Sequence, residues 1–195
     1  MSLKPTVSVI IPMYNVSEYV DDCFSNLASQ VLTNYEVILI DDKSVDDTIE
    51  KVLLAIECFE RKDVEFTLIT QEMNMGVACA RNIGLERASG EYVYFYDADD
   101  RIEPDTLSAL YSEAKQQDAD IVGCEWYISF AQNERHIKQR DVQGGVDLFR
   151  GFASGIIRWN LWLFMARRSL YEQNGFKFLP GMNMGEDMMV MMKLA

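Results

Sequence analysis

Val7-Ser8-Val9-Ile10-Ile11-Pro12 (VSVIIP, residues 7–12) is a short apolar run, rich in β-branched residues and with little polar alternation. That pattern suits a strand buried on both faces of a parallel sheet. Glu36–Ile40 repeats it and ends on Asp41 and Asp42. Between the two, apolar residues at Tyr19, Val20, Cys23, Phe24, Leu27 and Val31 recur at helical spacing, with Ser17 as the expected capping residue. Strand, helix, strand is the opening of an α/β sheet.

The alternation continues outward. Ile49, Val52, Leu53, Ile56 and Phe59 mark a second helix, with Asp47 as its expected N-cap. Glu65–Thr70 reads as a strand, Val77–Ala88 as a helix, and Tyr92–Tyr96 as a fourth strand running into Asp97-Ala98-Asp99-Asp100. After Pro104 a stripe of Leu107, Leu110, Tyr111 and Ala114 gives another helix, and Ile121–Phe130 reads as one longer strand. Such alternation favours a mostly parallel sheet with right-handed crossovers, helices covering both faces. Beyond Asn133 the periodicity is lost. A polar stretch to Gln143, the pair Gly144-Gly145 and the aromatic-rich Phe149–Phe164 carry no clean signal, and Glu186–Leu194 is a Met-rich helical pattern.

With 195 residues, 49% of them apolar, the expectation is one domain over residues 1–195. The pattern stops within Glu186–Leu194 before any C-terminal signal, as a trimmed piece of a longer protein would. Asp and Glu number 31 against 18 Lys and Arg, a formal charge of −13, which repels phosphate backbones and excludes nucleic acid as a partner. Cys23, Cys58, Cys79 and Cys124 have no metal-ligand or redox spacing and read as reduced core residues. Residues 1–6 lead straight into a strand and no apolar run approaches bilayer length, so the expected location is the cytoplasm.

Ligands of open α/β sheets bind beyond the carboxyl ends of the strands. Here those ends supply Tyr14 and Asn15, then Asp41 and Asp42, then Asn74 and Gly76, then Asp97, Asp99 and Asp100. Carboxylates packed that closely call for a cation or for raised pKa values, and Mg²⁺ or Mn²⁺ held by one or two of them suits a diphosphate substrate. A solvated acidic turn before the next helix is the competing reading. One of Asp41 and Asp42 could accept hydrogen bonds from a base or ribose, or both could belong to the loop. Tyr14 is either a stacking surface or a half-buried aromatic. Arg81, one turn into its helix, either binds phosphate, neutralises carboxylates, or lies exposed. Gly185-Glu186-Asp187 reads first as an acidic helix start. His136 has no apparent partner.

Taken together, VSVIIPMYN (7–15), VILIDDKSVDDT (37–48), NMGVACARNIGL (74–85), GEYVYFYDADD (90–100) and GED (185–187) resemble the family 2 glycosyltransferases. The motifs stand in the family's order over nearly the whole chain. The resemblance implies the GT-A fold, a Rossmann-like three-layer α/β/α arrangement. It implies a nucleotide-diphosphate sugar donor, for which a uridine-diphosphate sugar is expected, a Mn²⁺ or Mg²⁺ ion, and inversion at the anomeric carbon by a single displacement. Pro12, Tyr14, Asn15 and Glu18 fall on the donor-pocket segment, Asp42 on a nucleobase-contacting position and Arg81 on a donor-side basic position. Asp97 and Asp99 match the DXD motif, with Asp97 nearer the ribose and Asp99 on the metal; Asp100 is a second candidate metal ligand. Asp187 matches the general base.

The resemblance places nucleotide-sugar binding in about residues 5–130 and the acceptor side in about 131–195. A saccharide or lipid-linked acceptor is implied, in polysaccharide or glycolipid synthesis. Association with the inner membrane face through a region beyond residue 195 is also implied. One departure concerns the acceptor side: Trp159-Asn160-Leu161-Trp162-Leu163 lacks the lysine of the Trp-Asn-Lys-Leu-like run that relatives often carry. Two other classes compete. In a haloacid-dehalogenase-type phosphatase the first Asp of an Asp-x-Asp is a nucleophile, but here the cluster follows the fourth strand and Arg101 replaces the expected small hydroxyl residue. A non-catalytic sugar-nucleotide-binding domain would not need Asp187.

Overall fold

Both runs that anchor this reading are central strands. The computed structural model describes residues 4–130, 132–182 and 184–195; Met1–Leu3, on which the expectation of a missing leader partly rests, and the first residue of the expected acceptor side, Ala131, lie outside them. The elements are β1 (Val7–Met13), α1 (Val20–Ser29), β2 (Tyr35–Asp41), α2 (Thr48–Glu57), β3 (Val64–Thr70), α3 (Val77–Arg87), β4 (Tyr92–Phe95) and α4 (Thr106–Gln116). They continue with β5 (Ile121–Gly123), β6 (Trp126–Ser129), β7 (Glu134–Ile137), α5 (Gly145–Ala153), a 3-10 turn (Leu161–Leu163), β8 (Phe164–Arg167), α6 (Arg168–Asn174) and α7 (Glu186–Leu194).

The six-stranded sheet has the order β3-β2-β1-β4-β8-β5, and β3, β2, β1 and β4 are mutually parallel. Every residue of β2 and β4 is buried, which is why Val37–Ile40 and Tyr92–Phe95 read as unbroken apolar runs. Successive residues feed opposite layers. Val9, Ile11, Val37, Leu39 and Tyr94 pack with Leu27 of α1, Val52 of α2 and Leu107 of α4. Ile10, Ile38, Ile40, Val93 and Phe95 pack with Ala78 and Ala80 of α3, Phe152 of α5, Tyr171 of α6 and Met191 of α7. The expected three-layer, mostly parallel α/β/α sheet is the fold.

Several local expectations need correction. Ile121–Phe130 is not one strand: β5 pairs with β8 and ends at Gly123, whereas β6 leaves the sheet and forms a separate hairpin with β7. The polar stretch after Asn133 supplies that return strand. The aromatic-rich run contains β8, which lies antiparallel between β4 and β5. Ser17 does not cap α1, which starts at Val20; its N–H instead donates to Asp46 Oδ2 at 3.2 Å. Asp47 occupies the N-cap of α2 without a side-chain cap bond, and Asp46 Oδ1 accepts from Thr48 N at 3.1 Å and Thr48 Oγ1 at 2.6 Å. Those bonds hold the Asp46 carboxyl down at about 2, against the cost of burial. Cys58 is exposed at the end of α2, while Cys23 and Cys79 are buried.

At the amino end of the sheet, away from the strand ends that carry the candidate site, Glu36 Oε1 ties β1, β2 and the turn before β4. It accepts from Ser8 Oγ at 2.6 Å, Ser89 N at 2.7 Å, Ser89 Oγ at 2.9 Å and Gly90 N at 3.0 Å. A Cβ on Gly90 would sit 2.6 Å from Ser8 N, so only glycine fits there. Removing the carboxylate strands buried donors at a cost of about 1–3 kcal/mol. Glu36→Ala is therefore expected to lower the denaturant midpoint while leaving ligand binding by the folded fraction unchanged. An unaltered midpoint would refute this role.

Candidate functional site at the carboxyl ends of the strands

The strand order reverses direction between β1 and β4, and α/β sheets open their binding crevice at such a switch point. A pocket of about 160 Å³ lies there, lined by Pro12, Met13, Tyr14, Val16, Asp42, Val77, Ala80, Asp97, Ala98 and Asp99. Five residues read from sequence as donor-side, Pro12, Tyr14, Asp42, Asp97 and Asp99, share this wall. A larger cavity of about 690 Å³ lies by β5, α5 and the last residues of the chain, but none of the candidate site residues lines it. Chemistry rather than size selects the smaller pocket.

Each side chain is placed by its local structure. Tyr14 is 48% exposed at the pocket mouth, where an aromatic face can be covered by a ligand. Asn15 adopts φ 53°, the left-handed region that Asn tolerates better than most residues. Its N–H donates to Ser44 Oγ at 2.9 Å and its Oδ1 accepts from Val45 N at 2.9 Å, so it locks the loop after β1 to the loop after β2. Glu18 is exposed and outside the pocket wall, beside Tyr19, whose hydroxyl pKa it raises. Asp41 is buried and accepts from Ser44 N, a loop role.

Asp42 is buried and accepts from Gln71 Nε2 at 2.6 Å, Met75 N at 2.7 Å and Gly76 N at 2.7 Å. Gly76 stands at φ 86° and forms the N-cap of α3, so the Asn74–Gly76 turn is a cradle closed on Asp42. One carboxylate thereby anchors the helix that carries Arg81. Neither Gln71 nor this cradle was legible from spacing.

Asp97 and Asp99 follow β4 on the pocket wall, whereas Asp100 is half-buried outside it. Burial raises the Asp97 pKa, opposed by Arg81, and burial with Asp97 and Asp99 nearby lifts Asp100 to about 6. Among the described residues no three His, Cys, Asp or Glu side chains are arranged to hold a metal ion by themselves. Asp99, a hard carboxylate donor on the wall, nonetheless fits Mg²⁺ or Mn²⁺ in its usual mode, in which one or two carboxylates are joined by water and substrate phosphates.

Arg81 is 4% exposed and meets three carboxylates. Its Nη1 donates to Glu186 Oε1 at 2.8 Å and Asp187 Oδ1 at 2.6 Å, and its Nη2 to Asp97 Oδ1 at 3.3 Å. The residue placed on the donor side thus faces carboxylates and is not on the pocket wall. It joins Asp97, after β4, to the start of α7, where Asp187 lies 106 positions from Arg81 in sequence. Asp187 Oδ2 also lies 3.5 Å from Leu161 N, at the start of the 3-10 turn in the atypical Trp159–Leu163 run. Burial pushes Asp187 up to about 6; Arg81 opposes that shift and Glu186 adds to it. A carboxyl poised there can take a proton near neutral pH.

Comparison with known proteins bears on the family and the fold. The chain is 30% identical over 191 residues to "Uncharacterized glycosyltransferase EpsJ" of Bacillus subtilis, covering 94% of this chain and 54% of that protein. Staphylococcus aureus TarS in complex with UDP-GlcNAc superposes with a TM-score of 0.76 at 23% identity, over 97% of this chain and 53% of that one. A mannosyltransferase, PcManGT of Pyrobaculum calidifontis, in complex with GDP-Man and Mn²⁺, superposes with a TM-score of 0.67 at 25% identity, over 91% of this chain and 48% of that one. The chain spans about half the length of these proteins. The phosphatase alternative is not favoured. The family model described as "Glycosyl transferase family 2" matches residues 8–193, and with the GT-A arrangement of its sheet the chain belongs to that family.

Proposed function

We propose that this chain holds the donor-binding and catalytic centre of an inverting glycosyltransferase, which moves a sugar from a nucleotide-diphosphate sugar to an acceptor hydroxyl. The observation that carries the reading is the meeting of Asp97, on the pocket wall, and Asp187, at the start of α7, on one guanidinium. A leaving-group site and a base are thereby neighbours, as single displacement demands. The donor is a uridine-diphosphate sugar; a TarS structure contains UDP-GlcNAc, which supports this choice, while PcManGT binds GDP-Man. The acceptor is a saccharide or lipid-linked hydroxyl in polysaccharide or glycolipid synthesis. Among the described residues no helix is long and apolar enough to cross a membrane.

In this reading Tyr14 covers the base, Asp42 and Pro12 shape the nucleoside end, and Asp97 faces the ribose. Asn15 and Glu18 form the adjoining rim. Asp99, with Asp100 as the second candidate, holds the divalent cation, which supplies charge neutralisation for the departing diphosphate. Asp187 accepts the proton of the acceptor hydroxyl. The acceptor oxygen then forms its bond to the anomeric carbon on the face opposite the diphosphate. The carbon–oxygen bond to the diphosphate breaks, and its electron pair leaves with the nucleotide.

The direct test is thermal denaturation with UDP-glucose, UDP-galactose, UDP-GlcNAc and GDP-mannose, each with and without Mn²⁺. One UDP-sugar with Mn²⁺ is expected to raise the midpoint, since ligand at a hundred times its Kd stabilises the fold by about 2.7 kcal/mol. No shift with any of them, with Mn²⁺ or Mg²⁺, would sink the reading.

A further inference from the structure

We infer that Arg81 is a positioning residue for Asp187: its guanidinium holds the base against the donor-pocket wall and does not itself bind the donor. This rests on the transferase reading above and adds to it a role on the acceptor side. Three observations carry it. First, both Nη atoms are spent on carboxylates, Glu186, Asp187 and Asp97, and Arg81 is absent from the pocket lining although Val77 and Ala80 of the same helix are present. Second, the cluster is over-acidic. Three carboxylates share one buried guanidinium whose Nε has no partner among the described residues. A knot serving packing alone gains nothing from surplus buried charge or an unmet donor.

Third, α3 reaches the C-terminal segment through two adjacent residues. Asn82 Nδ2 donates to Phe178 O at 2.8 Å and Asn82 Oδ1 accepts from Phe178 N at 2.8 Å, while the Arg81 guanidinium carbon lies 5.7 Å from the Phe178 ring centroid. Asn82 clamps the backbone of that segment. Arg81 then fixes the carboxylate that follows it. The planar fork matters here, because one Nη serves Glu186 and Asp187 while the other reaches Asp97; a lysine keeps the charge but cannot span the three.

The test separates donor affinity from turnover. Binding is measured by calorimetry for whichever nucleotide sugar of the panel above binds with Mn²⁺. Turnover is measured as hydrolysis of that donor, with water in the acceptor's place. Arg81→Lys is expected to lower turnover about 100-fold, the scale of a misplaced reacting group, while the donor Kd moves less than about threefold. Arg81→Gln, which loses the charge that pairs with Asp187, provides a second route should Arg81→Lys fail to fold, and it is expected to lower turnover at unchanged Kd. A Kd weakened in proportion to lost turnover would make Arg81 a donor ligand and overturn the inference, as would unchanged turnover. Failure of the wild-type chain to bind any nucleotide sugar would instead remove the functional reading on which it stands.

Discussion

Asp187→Asn is expected to lower turnover by about 10²- to 10⁴-fold, the usual contribution of a positioned base, while leaving donor affinity unchanged. The amide keeps the shape of the side chain but cannot take the proton, and it gives up the charge that pairs with Arg81. The fold should tolerate the change. With its pKa raised to about 6 from an ordinary value of 3.8, the Asp187 carboxylate is disfavoured by its surroundings, chiefly through burial. A group with a raised folded pKa adds stability as pH falls through that value, so at neutral pH its charge is a net burden. The same pKa gives the wild-type turnover a sign. The working form is the carboxylate, so activity falls tenfold for each pH unit below about 6, and the Asp187→Asn variant loses that limb. A variant retaining full turnover would remove Asp187 from the mechanism.

Asp99→Ala is expected to abolish the Mn²⁺-dependent part of donor binding and to lower turnover by roughly 100-fold or more, since cation stabilisation of a leaving oxygen is worth several kcal/mol. Asp97 lies 3.3 Å from Arg81, so part of its charge is already matched, whereas Asp99 stands exposed on the pocket wall. An exposed turn residue is also cheap to replace, within about 0.5 kcal/mol, so the loss would not reflect unfolding. Titrating Mn²⁺ against the donor complex of Asp99→Ala and of Asp100→Ala decides between the two carboxylates. Retained metal dependence in Asp99→Ala together with its loss in Asp100→Ala would transfer the role to Asp100.

The parallel half of the sheet was legible in the sequence because its strands are buried on both faces and connected by helices with periodic stripes. Val9–Pro12 and Val37–Ile40 are unbroken apolar runs for that reason. The strand-end rule brought Tyr14, Asp42, Asp97 and Asp99 to one edge, and one pocket wall contains these four together with Pro12, which the family resemblance supplied. From Ile121 onward the signal fails. β5 and β8 have only three and four residues, too short for periodicity, and β8 runs antiparallel to its neighbours. The split of Ile121–Phe130 depends on which strand offers a free edge, and no local pattern encodes that.

What the sequence alone determined is the buried apolar pattern and the chemical types waiting at each strand end, because both follow from the local period of a strand and from where it stops. Only the tertiary structure decided what those groups meet. Glu36 serves the amino end of the sheet, Asp42 closes on the turn that starts α3, and Arg81 turns away from the donor pocket toward Glu186 and Asp187. Arg81 reaches these carboxylates across more than 100 residues of chain. Spacing fixes the face of an element on which a side chain stands. The partner on that face is set by how distant elements pack.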